Sequence, residues 1–339
     1  MLSALAAAGQ GPRGANPLVG AVVLDASGKN LVTGFHRGAG TAHAEADAIN
    51  QARQAGIDLQ GSTMVVTLEP CNHQGRTGPC AQAIIDAGIG RVIFAVADPH
   101  DPAAGGAQTL RNAGIDVVQG LYAQEGKELN RRWFQSVAEH RPFVTLHIAQ
   151  TLDGRIAAAD GTSQWISSPE SLRDNHQTRQ LIDAILVGSN TVAVDNPRLN
   201  ARLADGSPAP QQPVRAVMGL TPVAADANIR GTDGRFVHLP TRDPAEALAA
   251  LFGMGVRHLM VEGGAGIIGA FLQAGLVDEL IMYLAPTLLG SGTASIADLG
   301  ITTLAQAQKW QWDQASSAAV TVLGSDLRLR LTPSAAPKV

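Results

Sequence analysis

Cysteine, aromatic residues and long apolar runs are all scarce in this chain of 339 residues. Its only two cysteines, Cys71 and Cys80, lie close together, and in a reducing compartment such a pair is more often a metal site or a redox pair than a structural disulfide. Aromatic residues make up 4% of the chain, and the formal net charge is -4. This composition argues against a nucleic-acid-binding protein, which needs basic surface and stacking rings.

Nothing in the sequence predicts export or membrane insertion. No stretch approaches the ~18 apolar residues of a membrane span. The opening residues, MLSALAAAGQGPRG, have no cationic start and too short an apolar run for a signal peptide. The expected location is therefore the cytoplasm, and the expected partner is a small polar molecule rather than a membrane or a nucleic acid.

The residues that are present predict two α/β domains. At 45% hydrophobic and 16% charged the chain is globular, and its length exceeds what one ordinary domain needs. From Asn16 to about Gly120, β-branched runs alternate with alanine-rich helical stretches, which predicts a mostly parallel sheet. A closing helix through AQEGKELNRRWFQSVAEH is broken at Arg141-Pro142, before the strand FVTLHIAQ. The predicted domains are residues 1–142 and 143–339.

His43, Glu45, Cys71 and Cys80 have the residue types of a zinc deaminase. One imidazole and two thiolates would supply three tetrahedral ligands and leave the fourth position for a water whose pKa the metal lowers to about 7. Glu45 would carry a proton from that water to the departing ammonia. Two buried small side chains, or a purely structural zinc site, remain alternatives for the cysteines.

Eight residues, NHQGRTGP, separate the two cysteines, where the common deaminase signature has only two. They place His73, Arg76 and Thr77 on a glycine-punctuated loop beside the predicted metal. This loop is a candidate seat for a substrate phosphate, and the alternative is a solvated polar turn.

The segment VRHLMVEGGAGIIGAFLQAG predicts a strand, a glycine cluster and a helix. Residues 264–269 match G-x-G-x-x-G, and bare amides at a helix N-terminus could hold a pyrophosphate. The wider order of elements is not that of a Rossmann domain, so a flexible turn without a ligand is the alternative.

Together these motifs are similar to those of the bifunctional riboflavin biosynthesis proteins, which combine a diaminohydroxyphosphoribosylaminopyrimidine deaminase with a 5-amino-6-(5-phosphoribosylamino)uracil reductase. The resemblance spans nearly the whole chain and includes ANPLVGAVV, TAHAEADAI, VTLEPCNHQGRTGPC, TLDGRIA, SQWIS, VGSNTVAVDNPRLNAR and VEGGAGIIGAFL. It implies an α/β fold with an N-terminal cytidine-deaminase-like three-layer α/β/α domain and a C-terminal dihydrofolate-reductase-like α/β domain. It also implies one zinc ion (Zn²⁺) per chain, NADPH as the second cofactor, and a homodimer formed through the reductase domains.

The resemblance assigns roles to individual residues. His43, Cys71 and Cys80 would bind zinc, Glu45 would be the catalytic acid and base, and Asn16 would touch the deaminase substrate. The expected NADPH contacts are Ala149, Trp165, Thr191, Asp195, Gly264, Ala265, Gly266, Ile267, Ile268, Gly269 and Ala270. The expected contacts of the reductase with the ribosyl phosphate substrate are Ser163, Arg179, Leu199, Arg202 and Glu262.

The implied reactions are hydrolytic deamination of 2,5-diamino-6-(5-phosphoribosylamino)pyrimidin-4(3H)-one and then NADPH reduction of the ribosyl group to ribityl. A monofunctional nucleobase or tRNA deaminase would leave residues 143–339 unexplained. A non-catalytic, NADP-binding or regulatory relative is the other alternative. A first departure from the family pattern, Ala15 in place of proline, is mild because Asn16 is kept. The support for this alternative comes from the other departures: His100 with AAGGA in place of asparagine and a glycine turn, and His147 in place of lysine. At the last position a constant charge is replaced by a group that titrates near neutrality.

Overall fold

The computed structural model describes residues 1–72, 78–98, 105–314 and 318–334. The chain divides into two units, Met1–Ala138 and Glu139–Val339, each with its own hydrophobic core. Within the described residues, no helix is long and apolar enough to cross a membrane.

The first unit contains a five-stranded sheet with helices on both faces. Its strands are β1 (Gly20–Leu24), β2 (Asn30–Phe35), β3 (Thr63–Leu68), β4 (Arg91–Val96) and β5 (Asp116–Gln119). Its helices are α1 (Leu2–Ala8), α2 (Ala44–Gln54), α3 (Cys80–Asp86), α4 (Gly106–Asn112), α5 (Ala123–Leu129) and α6 (Arg131–Glu139). Helices α2, α3 and α4 contribute to the main core of this unit, while α1 and α5 pack close to β1 and β4. The predicted three-layer α/β/α architecture is confirmed.

The sheet of the first unit has the order β2-β1-β3-β4-β5 and contains one reversed strand. Strand β1 runs antiparallel to both β2 and β3, whereas β3, β4 and β5 are parallel. Since β2 and β3 are both antiparallel to β1, β2 points in the direction of β3, and the prediction of a mostly parallel sheet is wrong for β1 alone. A tight hairpin joins β1 to β2, in which the Asp25 carboxylate accepts from the backbone of Ser27 and Lys29 and Gly28 takes a left-handed φ of 84°.

The single closing helix predicted for AQEGKELNRRWFQSVAEH is also wrong, because α5 and α6 are separated at Asn130. Asn130 is buried, and its side-chain amide both accepts from the Leu18 N–H and donates to the Leu18 carbonyl oxygen, each at 2.8 Å. This pair of hydrogen bonds ties the junction of the two helices to the segment that precedes β1.

The second unit contains a larger main sheet and a separate sheet of two strands. Its strands are β6 (Phe143–Thr151), β7 (Arg155–Ala157), β8 (Ala184–Gly188), β9 (Val214–Met218), β10 (Phe236–Leu239), β11 (His258–Val261), β12 (Glu279–Ala285), β13 (Thr293–Ala294), β14 (Trp310–Trp312), β15 (Val320–Leu323) and β16 (Asp326–Pro333). Its helices are α7 (Pro169–Arg179), α8 (Ser189–Asp195), α9 (Pro244–Gly253) and α10 (Ala265–Gln273), with short 3₁₀ turns at Asn228–Arg230 and Leu304–Gln306. A second α/β unit is thereby confirmed.

The main sheet of the second unit has the order β10-β9-β8-β11-β6-β12-β16-β14, and β15 also pairs with β16. The first six strands in this order, β10, β9, β8, β11, β6 and β12, are parallel, whereas β16 runs antiparallel to β12. The carboxyl ends of β6, β8, β11 and β12 therefore lie at one edge of the sheet, where open α/β sheets bind ligands. Leu146 and Ile148 of β6 belong to the core formed with α9 and α10, and His147 and Ala149 alternate onto the opposite face.

Candidate active sites

The structure brings His43, Cys71 and Cys80 together in the first unit. His43 is the N-cap of α2, Cys71 follows β3, and Cys80 is the first residue of α3. Nδ1 of His43 lies 3.5 Å from Sγ of Cys71 and 3.3 Å from Sγ of Cys80, and one donor atom from each residue falls within 4.8 Å of the others. One nitrogen and two sulfur donors are a ligand set that zinc prefers, so these residues fit that ion.

Glu45 lies in the first turn of α2, next to this cluster, and only 3% of it is exposed. Burial raises the pKa of its carboxyl group to about 7, while the Cys80 thiol partly opposes that rise. The pKa of Cys71 moves the other way, to about 4, because its sulfur accepts hydrogen bonds from the Cys80 thiol and from His43. A buried carboxyl that can hold or release a proton near neutrality suits general acid and base catalysis.

His36 lies between Asn16 and this cluster and contacts both. The sequence motifs did not identify His36 as a site residue. Nε2 of His36 is 2.9 Å from Nδ2 of Asn16, and Nδ1 is 3.1 Å from the carbonyl oxygen of Ala42. The His36 ring meets the His43 ring edge-on, with 5.5 Å between centroids. Burial lowers the pKa of His36, which favours the neutral ring.

The predicted phosphate-binding site, formed by His73, Arg76 and Thr77, lies outside the described residues, and so does His100. Glu69, in the LEP sequence before Cys71, is a buried residue that sequence reasoning also missed. Its carboxylate accepts from the backbone N–H of Asp98 at 3.4 Å and of Ala107 at 3.0 Å. It therefore links the end of β3 to the chain that follows β4.

In the second unit, Arg179 and Glu262 meet at the carboxyl edge of the sheet. Arg179 is the last residue of α7, and Glu262 directly follows β11. The guanidinium donates to Glu262 through Nη2 at 2.8 Å and Nε at 3.3 Å, and Asn175 donates to the same carboxylate at 3.3 Å. Burial by itself raises the pKa of Glu262, but Arg179, His147 and these hydrogen bonds outweigh it and bring the pKa to about 2. Glu262 is therefore ionised in the ligand-free protein.

Asn200 joins Arg179 to Arg202. Its backbone carbonyl accepts from Nη1 of Arg179, and its side-chain oxygen accepts from Nε of Arg202, each at 3.2 Å. Leu199, the preceding residue, is buried and takes a left-handed φ of 49°. The two arginines expected to face a phosphate thus both donate to Asn200, although Arg179 already has a carboxylate partner.

His147 is buried in β6 between this ion pair and Tyr283. Nδ1 lies 3.8 Å from the Glu262 carboxylate, and the ring centroid lies 5.0 Å from that of Tyr283. Nε2 is buried and has no hydrogen-bond partner in the described part of the chain. Burial lowers the pKa of His147, with Arg179 acting in the same direction and Glu262 opposing. In the ligand-free protein this position therefore does not replace the constant charge of a lysine.

The glycine cluster forms the predicted turn from β11 into α10. Gly263 has a φ of 131°, and Gly264 is the N-cap of the helix. A Cβ added at Gly264 or Gly266 would meet open space, whereas one at Gly269 would lie 3.1 Å from the Cβ of Ala297. Gly264 and Gly266 therefore leave room for a ligand, whereas Gly269 allows α10 to pack closely against Ala297. Ala265, Ile267, Ile268 and Ala270 belong to the first turns of α10, where Ile268 is buried.

The remaining predicted cofactor and substrate residues are spread around the same edge. Thr191, in α8, adjoins the glycine turn, since its Oγ1 would lie 3.1 Å from a Cβ at Gly263. Asp195 ends the same helix and is exposed. Ser163 and Trp165 lie between β7 and α7, and Trp165 is 71% exposed. Ala149 lies near the carboxyl end of β6.

Two family models match the chain. The model described as "Cytidine and deoxycytidylate deaminase zinc-binding region" matches residues 1–96, and the one described as "RibD C-terminal domain" matches residues 142–321. The riboflavin biosynthesis protein RibD of Mycobacterium tuberculosis is 42% identical over 316 residues, which cover 93% of this chain and 90% of that protein. The protein of the same name from Corynebacterium ammoniagenes is 47% identical over 292 residues, or 85% of each chain. This chain belongs to the RibD family.

Solved structures of family members agree with this membership. RibD of Acinetobacter baumannii superposes with a TM-score of 0.87 at 32% identity, covering 98% of this chain and 97% of that one. A Thermotoga maritima protein described as a diaminohydroxyphosphoribosylaminopyrimidine deaminase/5-amino-6-(5-phosphoribosylamino)uracil reductase superposes with a TM-score of 0.83 at 31% identity, with the same coverage. This RibD-family chain is therefore a bifunctional enzyme of riboflavin biosynthesis, with a zinc-binding deaminase domain and a reductase domain. The monofunctional and non-catalytic alternatives are not favoured.

Proposed function

We propose that the deaminase domain hydrolyses the ring amine of 2,5-diamino-6-(5-phosphoribosylamino)pyrimidin-4(3H)-one and that the reductase domain then reduces the ribosyl group of the resulting aminouracil to ribityl, with NADPH. The two activities for which the Thermotoga maritima relative is named support these two substrates. The observation that carries the proposal is the placement of Glu45 beside His43, Cys71 and Cys80, in a chain whose second unit has an open glycine turn at the carboxyl edge of its sheet.

His43, Cys71 and Cys80 would hold one zinc ion per chain. When bound, zinc supplies a Lewis acid that makes water a competent nucleophile near neutral pH. Glu45 would accept a proton on its buried carboxylate and return it to the departing amine, a role that suits its place in the first turn of α2 beside the three candidate ligands. Asn16 contacts the pyrimidine, and His73, Arg76 and Thr77 remain the sequence-based candidates for holding its phosphate.

In the reductase domain, NADPH would lie along Gly264–Ala270, Thr191, Ala149, Asp195 and Trp165. The N-terminal amides of the nine-residue helix α10 and the open space at Gly264 and Gly266 suit a pyrophosphate. Ser163, Leu199, Arg202, Arg179 and Glu262 would surround the sugar phosphate. NADPH supplies a hydride for the sugar C1′, and the protein groups orient both molecules.

Two separate assays on one preparation test the proposal. Ammonia release from the diaminopyrimidinone substrate and NADPH oxidation on the deaminated substrate should both be catalytic, and metal analysis should give one zinc per chain. A protein with less than half an equivalent of zinc and full deaminase activity would rule out the assigned ligands. Failure of one assay alone would assign the chain to the other activity only.

A homodimer formed through the reductase domain is part of the same proposal. Strands β14 and β15, which pair antiparallel with β16, carry three exposed apolar side chains. The exposed fractions are 53% for Trp312, 48% for Val320 and 72% for Val322. Their cross-strand partners on β16 are leucines, so these residues continue an apolar face. Sedimentation equilibrium should show a dimer for the native protein and a monomer for Val322→Arg. A native monomer, or a dimer that survives this change, would remove this face from the proposal.

A further inference from the structure

His36 is a buried residue whose two ring nitrogens both have protein partners. Only 4% of the residue is exposed. Nδ1 lies 3.1 Å from the carbonyl oxygen of Ala42, one residue before the zinc-ligand candidate His43, and Nε2 lies 2.9 Å from the side-chain nitrogen of Asn16. Neither nitrogen is directed at the donor cluster, so His36 is not one of its ligands.

The partners determine which nitrogen of His36 carries hydrogen. A carbonyl oxygen can only accept, so Nδ1 must donate to Ala42. An amide nitrogen can only donate, so Nε2 must accept from Nδ2 of Asn16, and the ring carries its single hydrogen on Nδ1. The Asn16 amide is thereby oriented with its nitrogen toward His36, and its oxygen, Oδ1, is left available as a hydrogen-bond acceptor.

The backbone around Asn16 is held independently of His36. Nε1 of Trp133 donates to the Ala15 carbonyl at 2.9 Å, on one side of Asn16. On the other side, the Asn130 amide forms two hydrogen bonds with the backbone of Leu18. With the main chain fixed at both ends, rotation of the side chain is the main freedom left to Asn16, and His36 restricts it.

We infer that His36 is a positioning residue of the deaminase, which orients Asn16 so that its Oδ1 accepts a hydrogen bond from an N–H group of the substrate base. The inference rests on the proposed function, in which Asn16 contacts the pyrimidine. The edge-on contact between the rings of His36 and His43 places Asn16 in the neighbourhood of the donor cluster. An acceptor at this point favours a base that presents a ring or exocyclic N–H and disfavours one that presents a bare nitrogen.

A set of four variants tests this coupling through ammonia release. His36→Phe keeps a buried ring but removes both hydrogen bonds, and it should raise the KM of the deaminase by about tenfold. His36→Gln can still accept from Asn16 and should stay within about threefold of the native KM. The double variant Asn16→Ala with His36→Phe should be no worse than Asn16→Ala alone, because His36 acts through Asn16.

Each readout has an opposing outcome. Two outcomes would show that His36 supports the metal ligands instead. One is an additive loss of activity in the double variant. The other is loss of zinc from His36→Phe, if the fraction of that protein that keeps zinc has the native KM. A ¹⁵N NMR measurement of the ring is independent of any substrate: the neutral Nδ1–H tautomer supports the inference, and an Nε2–H or doubly protonated ring overturns it. If the native protein releases no ammonia from the diaminopyrimidinone, the proposed function fails while this NMR result still stands.

Discussion

Arg179 and Glu262 form a two-point ion pair, with Nη2 to Oε2 at 2.8 Å and Nε to Oε1 at 3.3 Å. Both side chains are less than 15% exposed. The positive charge of Arg179 is therefore already balanced by the protein before any phosphate arrives. Arg202 forms no ion pair within the described ranges, so its guanidinium is more available to bind a phosphate than that of Arg179.

Glu262→Gln should destabilise the second unit by about 3–5 kcal/mol, because removing one partner of a buried pair leaves the other charge uncompensated. Urea unfolding measures this loss. The matched control is Glu170→Gln, which breaks an exposed pair with Arg173 and should cost less than about 1 kcal/mol. Equal effects of the two changes would contradict the assigned importance of the Arg179–Glu262 pair.

The same carboxylate gives a pH dependence with a defined sign. Its folded-state pKa, about 2, lies below the ordinary glutamate value, so its stabilisation is complete above about pH 4.5 and is lost as the pH falls toward 2. Unfolding followed across this window should show a smaller acid loss for Glu262→Gln than for the native protein. Parallel acid profiles would indicate that other carboxylates dominate.

His147 should make the reductase sensitive to pH only on the acid side. The kcat/KM profile reports groups of the free enzyme, and in the free enzyme burial lowers the pKa of His147 below its usual 6.5. If a positive charge at this position assists the reaction, kcat/KM for NADPH oxidation falls as the pH rises, and the midpoint of the fall lies below the usual imidazole value. His147→Lys should abolish it. A flat native profile between mild acid and mild alkali would show that the position carries no essential charge.

Gly264→Leu should raise the dissociation constant of NADPH by at least about tenfold and leave ammonia release unchanged. The reason is that a Cβ at Gly264 meets no atom of the described residues within 4 Å other than those of its chain neighbours, so a side chain there would extend into the space left for a ligand. Gly269→Ala is the control: its Cβ would press on Ala297, so it should lower stability more than affinity. Unchanged NADPH affinity in Gly264→Leu would indicate a structural turn.

The sequence predicted which candidate residues lie together better than it predicted what surrounds them. His43, Cys71 and Cys80 could be predicted because zinc accepts few donor types, and the glycine turn because strand, glycines and helix are contiguous in the chain. His36 and Asn130 could not, since each acts through a hydrogen bond to a residue 20 or 112 positions away. Strand β2, NLVTGF, mixes apolar with polar residues and contains a glycine, so its pairing with β1 identifies it as a strand better than its composition does.

The two activities should be separable by single substitutions, because each unit has its own core and its own candidate site. Glu45→Gln keeps the shape of the side chain but removes its capacity to exchange a proton, so ammonia release should fall by 10²–10⁴-fold. NADPH oxidation on the deaminated substrate should continue at the native rate. Arg202→Ala should show the reverse pattern, with kcat/KM of the reductase reduced by roughly 10–100-fold through loss of a charged hydrogen bond. Arg202 is preferred to Arg179 here because removing Arg179 would leave Glu262 as a buried, unbalanced charge and confuse binding with stability. If Glu45→Gln also abolishes NADPH oxidation while the protein remains folded, the two sites are coupled and the independent-domain interpretation is wrong.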